Sequence, residues 1–204
     1  MTPPSGPKLE GFGSRARWLV PPASWRSANP SHLVLEAPAA TDRFVDPVTG
    51  TVRDDSPIWL TGTGAPASLR ARVSATFADT FDAGVLMAYQ ARDRWAKLCF
   101  ERAPDGRVMV VTVVTRGRSD DANAFVVDGA DVWLRISVLA AGAYAFHASR
   151  NGEAWDLVRL FSLGERGRRR VGLSSQSPVG GGCTATFSEI SLVPEVPVDL
   201  RSGV

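Results

Sequence analysis

Histidine, lysine and cysteine are scarce in this 204-residue chain, and each shortage removes a class of chemistry. Two histidines, His32 and His147, are too few for most zinc sites or for a histidine relay. Two cysteines, Cys99 and Cys183, cannot frame a disulfide scaffold in a chain this long and sit in no metal-ligand spacing. A reduced, cytoplasmic protein with no bound metal and no cofactor is expected. Lysine occurs only at Lys8 and Lys97, against an arginine background, and an ammonium is not interchangeable with a guanidinium at a site. No apolar run approaches the roughly 18 residues of a membrane span. The segment from Met1 to Pro7 has neither the basic nor the apolar region of a secretory signal, so neither a membrane partner nor export is expected. A formal net charge of +2 leaves little positive excess for a dedicated nucleic-acid partner.

Long helical periodicity is also missing. Short runs of Val, Leu, Ile, Thr and aromatics alternate instead with Gly, Pro, Asn and Asp clusters, the pattern of antiparallel sheets. Residues 1–31, rich in proline, serine and arginine with Trp18 and Trp25 as isolated anchors, read as an irregular N-terminal arm. Residues 32–193 read as one β-sandwich domain, and 194–204 as a C-terminal tail. Strands are expected near 32–37, 57–61, 69–78, 83–91, 94–103, 107–115, 124–127, 132–139, 143–149, 155–161, 170–176 and 183–193. The pairs Asp105-Gly106, Ala141-Gly142 and Asn151-Gly152 mark hairpin turns. That many punctuated strands imply an all-β, two-sheet sandwich or jelly roll.

Side chains alternate sides along a strand, so parity separates core from outer positions. Leu98 and Phe100 oppose Trp95, Lys97, Cys99 and Glu101; Leu134 and Ile136 oppose Trp133 and Arg135; Phe146 opposes His147, next to Ser149; Leu173 opposes Gln176 in parity. If these strands share a sheet, Trp95, Lys97, Glu101, Arg135, His147, Ser149 and Gln176 form one face combining aromatics, both charges and amide or hydroxyl groups. Such a surface suits a polyhydroxylated ligand. The plainer alternative is a solvated face with cross-strand ion pairs.

The ordered segments Thr41-Asp42-Arg43-Phe44, Gly84 to Tyr89, Trp95 to Glu101, Val113 to Asp121, Trp133 to Ile136, Ser149 to Trp155 and Val171 to Pro178 resemble the regulation-of-enolase-like domain family of unknown function. That family is assigned to the concanavalin A-like lectin/glucanase superfamily, and its label comes from a fungal member. The resemblance spans roughly residues 32–193. It implies a concanavalin A-like jelly-roll sandwich of two antiparallel sheets with a concave face, in a superfamily whose members commonly bind or cleave carbohydrate. Lys97 and Glu101 match its Trp-x-Lys-x-x-x-Glu pattern, and Ser119 and Asp120 its Gly-x-Ser-Asp turn. Arg135, Ser149, Trp155, Gln176 and Ser177 match later motifs, whereas Arg43 stands where relatives often carry an aromatic.

Glycoside hydrolysis generally uses two carboxyl groups flanking the bond. Glu101 is the one candidate catalytic residue on the expected face, and Asp120, Asp121 or Glu153 would have to approach from loops. The Glu-x-Asp-x-x-Glu strand motif of glucanases is absent. Ser119-Asp120-Asp121-Ala122-Asn123 reads as a turn stabilised by short polar side chains rather than as a calcium loop. Cys99 shares a strand side with Lys97, which would depress its pKa. Trp155 is placed either to stack on a sugar or to close the core edge. The leading expectation is binding of a carbohydrate or related polyhydroxylated small molecule on the concave sheet face. The alternatives are a glycosidase-like enzyme using Glu101 and a protein-interaction module that regulates a metabolic enzyme.

Overall fold

A strand covered on both faces is apolar at every position, and Ala83 to Tyr89, buried throughout, is such a run. In the computed structural model, which describes residues 5–204, this run forms the middle of a sheet. The strands in chain order are β1 (Arg17–Val20), β2 (Ser24–Arg26), β3 (Leu33–Pro38), β4 (Arg43–Val45), β5 (Val52–Asp54), β6 (Ile58–Gly62), β7 (Ala67–Ala75) and β8 (Ala83–Ala91). They continue with β9 (Arg94–Arg102), β10 (Val108–Arg116), β11 (Arg118–Val126), β12 (Val132–Val138), β13 (Ala143–Ser149), β14 (Asp156–Ser162), β15 (Arg170–Gln176) and β16 (Gly182–Val193). The first sheet runs β1-β6-β15-β8-β9-β10-β11 and the second β14-β13-β12-β7-β16-β3-β2, each with seven antiparallel strands. A two-stranded ribbon, β4-β5, joins neither sheet as a paired strand.

Two apolar layers result. Leu86, Leu98, Phe100 and Leu173 of the first sheet meet Leu69, Leu134, Ile136, Phe146 and Phe187 of the second in the central core. On the other face of the first sheet Met87, Tyr89, Trp95, Cys99, Val111 and Val113 form a second cluster with Val45 and Phe44 of β4. The parity reading therefore identified the inter-sheet layer correctly, but the opposite side is packed as well wherever the ribbon covers it. The three expected hairpins are present: Gly106 closes the β9-β10 turn with φ +86, Ala141 and Gly142 take φ 51 and 69 between β12 and β13, and Asn151 Oδ1 accepts from the Glu153 and Ala154 amides after β13.

Three expectations change. The arm is not irregular, because β1 pairs with β6 and β2 with β3, extending both sheets at their edges. Trp18 packs on Trp59 with ring centroids 4.8 Å apart and on Trp25 at 6.2 Å. These strands are too short, and too interrupted by Pro21 and Pro22, to signal themselves, as edge strands often are. The expected strand at 124–127 begins instead at Arg118, so the Ser119 to Asn123 segment is strand rather than turn. The tail beyond β16 folds back over the outer face of the second sheet, where Ser68 donates to the Glu195 carbonyl at 2.7 Å.

Close approach explains the glycine at the centre of β15. A Cβ on Gly172 would collide with the Trp59 carbonyl and lie 2.9 Å from Leu60 Cδ2, whereas a Cβ on Gly181 meets nothing within 4 Å. Gly172→Ala is expected to cost about 1–3 kcal/mol through overpacking, lowering Tm by about 3–10 °C. Gly181→Ala should shift Tm by less than about 2 °C, and thermal denaturation of the two variants checks the contrast.

Candidate functional site

Two cross-strand rows build the site. Lys97 on β9 stands opposite Val113 on β10, which stands opposite Asp121 on β11. Glu101, four residues after Lys97 and therefore on the same side of β9, stands opposite Ala83 on β8, which is itself opposite Gln176 on β15. The segment before the ribbon completes the arrangement. Thr41 and Ser177 exchange backbone hydrogen bonds of 3.0 and 3.1 Å, which sets Asp42 beside Gln176. Asp42 is fixed in turn by its amide donating to Asp55 Oδ1 at 2.8 Å.

The polar groups join in a chain. Lys97 Nζ contacts Asp42 Oδ1 at 3.1 Å and donates to Gln176 Oε1 at 2.8 Å. Gln176 Nε2 donates to Glu101 Oε2 at 3.2 Å and to the Phe81 carbonyl at 3.1 Å. Burial pulls the Lys97 ammonium down, but the surrounding negative charges, Asp42 foremost, outweigh it and raise its pKa. Glu101 responds in the opposite sense from an acid's point of view. Burial pushes its carboxyl from 4.5 up to about 8, Lys97 opposes the rise, and Asp121 and Asp42 add to it. Glu101 is thus largely protonated at neutral pH and can both donate and accept. Asp121, on the rim, is also raised, first by burial of its carboxyl.

An open cleft of about 130 Å³ sits above these groups, walled by Phe44, Phe81 and Pro178. Phe81 is 38% exposed at φ 70, a left-handed conformation that a bulky side chain rarely adopts and that recurs at functional sites. A cavity of about 150 Å³ accepts a benzene ring, so this cleft takes one ring with the remainder of a longer ligand outside. Among the described residues no group of three or more His, Cys, Asp or Glu is arranged to hold a metal ion.

The structure divides the residues expected on one face. Lys97, Glu101 and Gln176 meet in the cleft. Trp95, on the same side of β9, is 1% exposed and packed in the second cluster, so its ring is closed to a ligand. Arg135, His147 and Ser149 lie on β12 and β13, in the other sheet, and their outward sides face away from the cleft. Parity assigns a side of a strand but not the sheet to which the strand belongs. Arg135 donates to the Gly203 carbonyl at 2.7 Å and lies 4.3 Å over the Trp155 ring; His147 Nε2 is 2.9 Å from the Leu200 carbonyl. Arg135 and His147 therefore bind the tail, and Trp155 is buried beneath it rather than open for stacking. Ser149 Oγ caps the following turn, accepting from the Gly152 amide at 2.9 Å.

Like Trp155, the other two loop candidates, Ser119 and Asp120, do not line the cleft, and both are strand residues of β11. Ser119 Oγ accepts from the Val45 amide at 2.9 Å and shares a hydrogen bond with Thr115 Oγ1, pinning the ribbon to the sheet. Asp120 pairs with Arg159 of β14 at 2.8 Å, tying the two sheets together at their edge. Cys99 reverses the expectation for its thiol: burial pushes its pKa well up, against the pull of Lys97. The residues that sequence reasoning left out of the site are Asp42, Phe44 and Phe81. They lie outside the long strands, where period-2 alternation carries no information, although Asp42 and Phe44 fall within one of the recognised segments.

Residues 18–195 match the family described as "Protein of unknown function (DUF1349)". The chain is 30% identical over 181 residues to "Regulation of enolase protein 1" of Saccharomyces cerevisiae, covering 88% of this chain and 89% of that protein. A crystal structure of a functionally unknown protein from Saccharomyces cerevisiae superposes with a TM-score of 0.81 at 30% identity, over 90% of this chain and 98% of that one. The GH43 protein BlXynB from Bacillus licheniformis matches at 0.69 with 13% identity, over 92% of this chain but 38% of the enzyme. A legume lectin-like domain from Entamoeba histolytica matches at 0.56 with 9% identity, over 88% and 90%. The last two likenesses concern the fold. On the match across residues 18–195, the chain belongs to the DUF1349 family, and its fold is a concanavalin A-like sandwich of two antiparallel sheets.

Proposed function

We propose that the protein is a cytoplasmic binding domain for a saccharide or related polyhydroxylated small molecule, held as a single ring in the cleft above Lys97, Glu101 and Gln176. The observation that carries this reading is the combination of a hydrogen-bonded polar floor with aromatic walls. Glu101, Asp121, Asp42, Lys97 and Gln176 supply closely spaced donors and acceptors, and Phe44 and the exposed Phe81 supply flat apolar surface. Hydroxyls need the first and sugar ring faces the second. The two buried, unpaired cysteines accord with a reducing compartment.

A second reading, hydrolysis, is favoured by one observation: a buried carboxylic acid raised to about 8 lies in the same cleft as Asp121, and a proton donor beside a second carboxyl is what glycosidases use. The relative's name, "Regulation of enolase protein 1", supports a third, a protein partner.

A thermal-shift screen against neutral mono- and oligosaccharides and sugar acids separates these readings. A ligand at about 100 times its Kd stabilises the fold by about 2.7 kcal/mol. Phe81→Ala and Asp121→Asn are each expected to weaken such a ligand by about fivefold to tenfold through lost stacking and a lost hydrogen bond. Glu101→Gln should weaken binding if the carboxyl only holds hydroxyls, and abolish turnover while sparing binding if it is the acid. A panel without a single stabilising sugar would refute the saccharide reading and favour the protein partner.

The Glu101 carboxyl also predicts a pH dependence of stability. Between about 4.5 and about 8 the folded state holds a proton that the unfolded state has lost, so stability falls as pH rises and levels off above about 8. The slope reaches about 1.4 kcal/mol per pH unit. Denaturant titrations across this window should show wild type losing stability relative to Glu101→Gln; parallel curves would contradict the assignment.

A further inference from the structure

A second cleft, of about 740 Å³, opens at the edge of the first sheet where β1, β6 and the start of β15 meet the turn that follows β14. Arg15, Arg17, Arg168, Arg169 and Arg170 line it, and no acidic residue does. The first three are exposed and the last two half-buried. Among the described residues none of the five takes part in an ion pair. The buried Nε atoms of Arg169 and Arg170 have no hydrogen-bond partner. Arg170 is steadied by the Tyr89 ring, 4.6 Å from its guanidinium, while burial and then the charges of Arg17 and Arg168 act against its ionised form.

Guanidinium groups stay charged in proteins, so five of them around one cleft repel one another until counter-charge enters. The same wall exposes bare backbone: a Cβ added at Gly13, Gly62 or Gly64, which line the cleft, would meet nothing within 4 Å. A bound group can therefore approach the main chain closely. Planar forks of N–H donors match the oxygens of phosphate. One phosphate brings about −1.5 to −2 charges, so two offset most of the five cations and about three match them. The volume lies within the range of small-molecule sites, about 300–1,000 Å³. No aromatic side chain lines the cleft to stack a run of bases, which disfavours a nucleic-acid strand.

We propose that this arginine cleft binds a small molecule carrying two or more clustered phosphate groups. It is separate from the Glu101 cleft, because Arg170 and Gln176 mark opposite ends of β15, about 20 Å apart at 3.3 Å per residue. Nucleoside triphosphates and inorganic polyphosphates share the required chemistry.

Isothermal titration calorimetry at about 0.15 M salt, with orthophosphate, pyrophosphate, tripolyphosphate and ATP, tests the assignment. Saturable one-to-one binding is expected to tighten from orthophosphate to tripolyphosphate. Arg15→Ala and Arg168→Ala, both at exposed positions, should each weaken tripolyphosphate about tenfold, the loss of one charge-assisted hydrogen bond. Arg168→Lys should recover only part of the loss. ATP binding tighter than tripolyphosphate supports the proposal with a nucleotide as source; tripolyphosphate binding at least as tightly supports it with polyphosphate as source. Absence of saturable tripolyphosphate binding, equal affinity for all the phosphates, or indifference to both arginine variants would overturn it. A single-stranded oligonucleotide that binds more tightly than tripolyphosphate would also overturn it in favour of a nucleic-acid surface.

Discussion

Burying an ammonium group requires a counter-charge and partners for its protons, and the architecture around Lys97 is organised by that requirement. Its side chain is 4% exposed, on a sheet face where Met87, Tyr89, Trp95 and Val113 pack around it. Asp42 supplies the charge, and it does so from outside the sheet. The ribbon and the Thr41-Ser177 bridge are the means by which an aspartate 55 residues away reaches Lys97. Gln176 takes the next position because an amide can accept from the ammonium and donate to Glu101 at once. Glu101 then stands beyond the reach of full compensation and keeps its proton.

The same logic divides the first sheet's outer face into two territories. Where β4 lies on it, the face is a dry second core. Beside it Phe44 of β4 forms a wall, and the polar chain comes within reach of a ligand. The second sheet solves the equivalent problem differently: its outward Arg135 and His147 are met by carbonyl oxygens of the C-terminal tail. One outer face is therefore partly open and the other bound to its own chain.

Local order was legible in the sequence to the extent that it depends on neighbours along the chain. Asp105-Gly106 and Asn151-Gly152 make turns because glycine permits φ > 0 and asparagine bonds nearby amides, and Leu98 and Phe100 separate from Lys97 and Glu101 by simple alternation. The β1 and β2 strands, with three or four residues each, offered too short a period to read. Long-range pairing was hidden in a different way. Nothing in β9 or β13 taken alone says that Glu101 and His147 belong to different sheets, and nothing near Asp42 says that it ends beside Lys97. The family resemblance supplied the sandwich, but the composition of the site depended on contacts between residues far apart in sequence.

The burial of both thiols has a practical side. Cys99 lies inside the second cluster and Cys183, a buried residue of β16, has its pKa raised by burial to about 11, so neither presents a thiolate to reagents in solution. The natural chain is consequently a silent background for chemical labelling. A cysteine introduced at Val179, 65% exposed and next to the Pro178 wall, would be the single reactive sulfur among the described residues, placing a fluorophore or spin label at the mouth of the cleft without disturbing either native position.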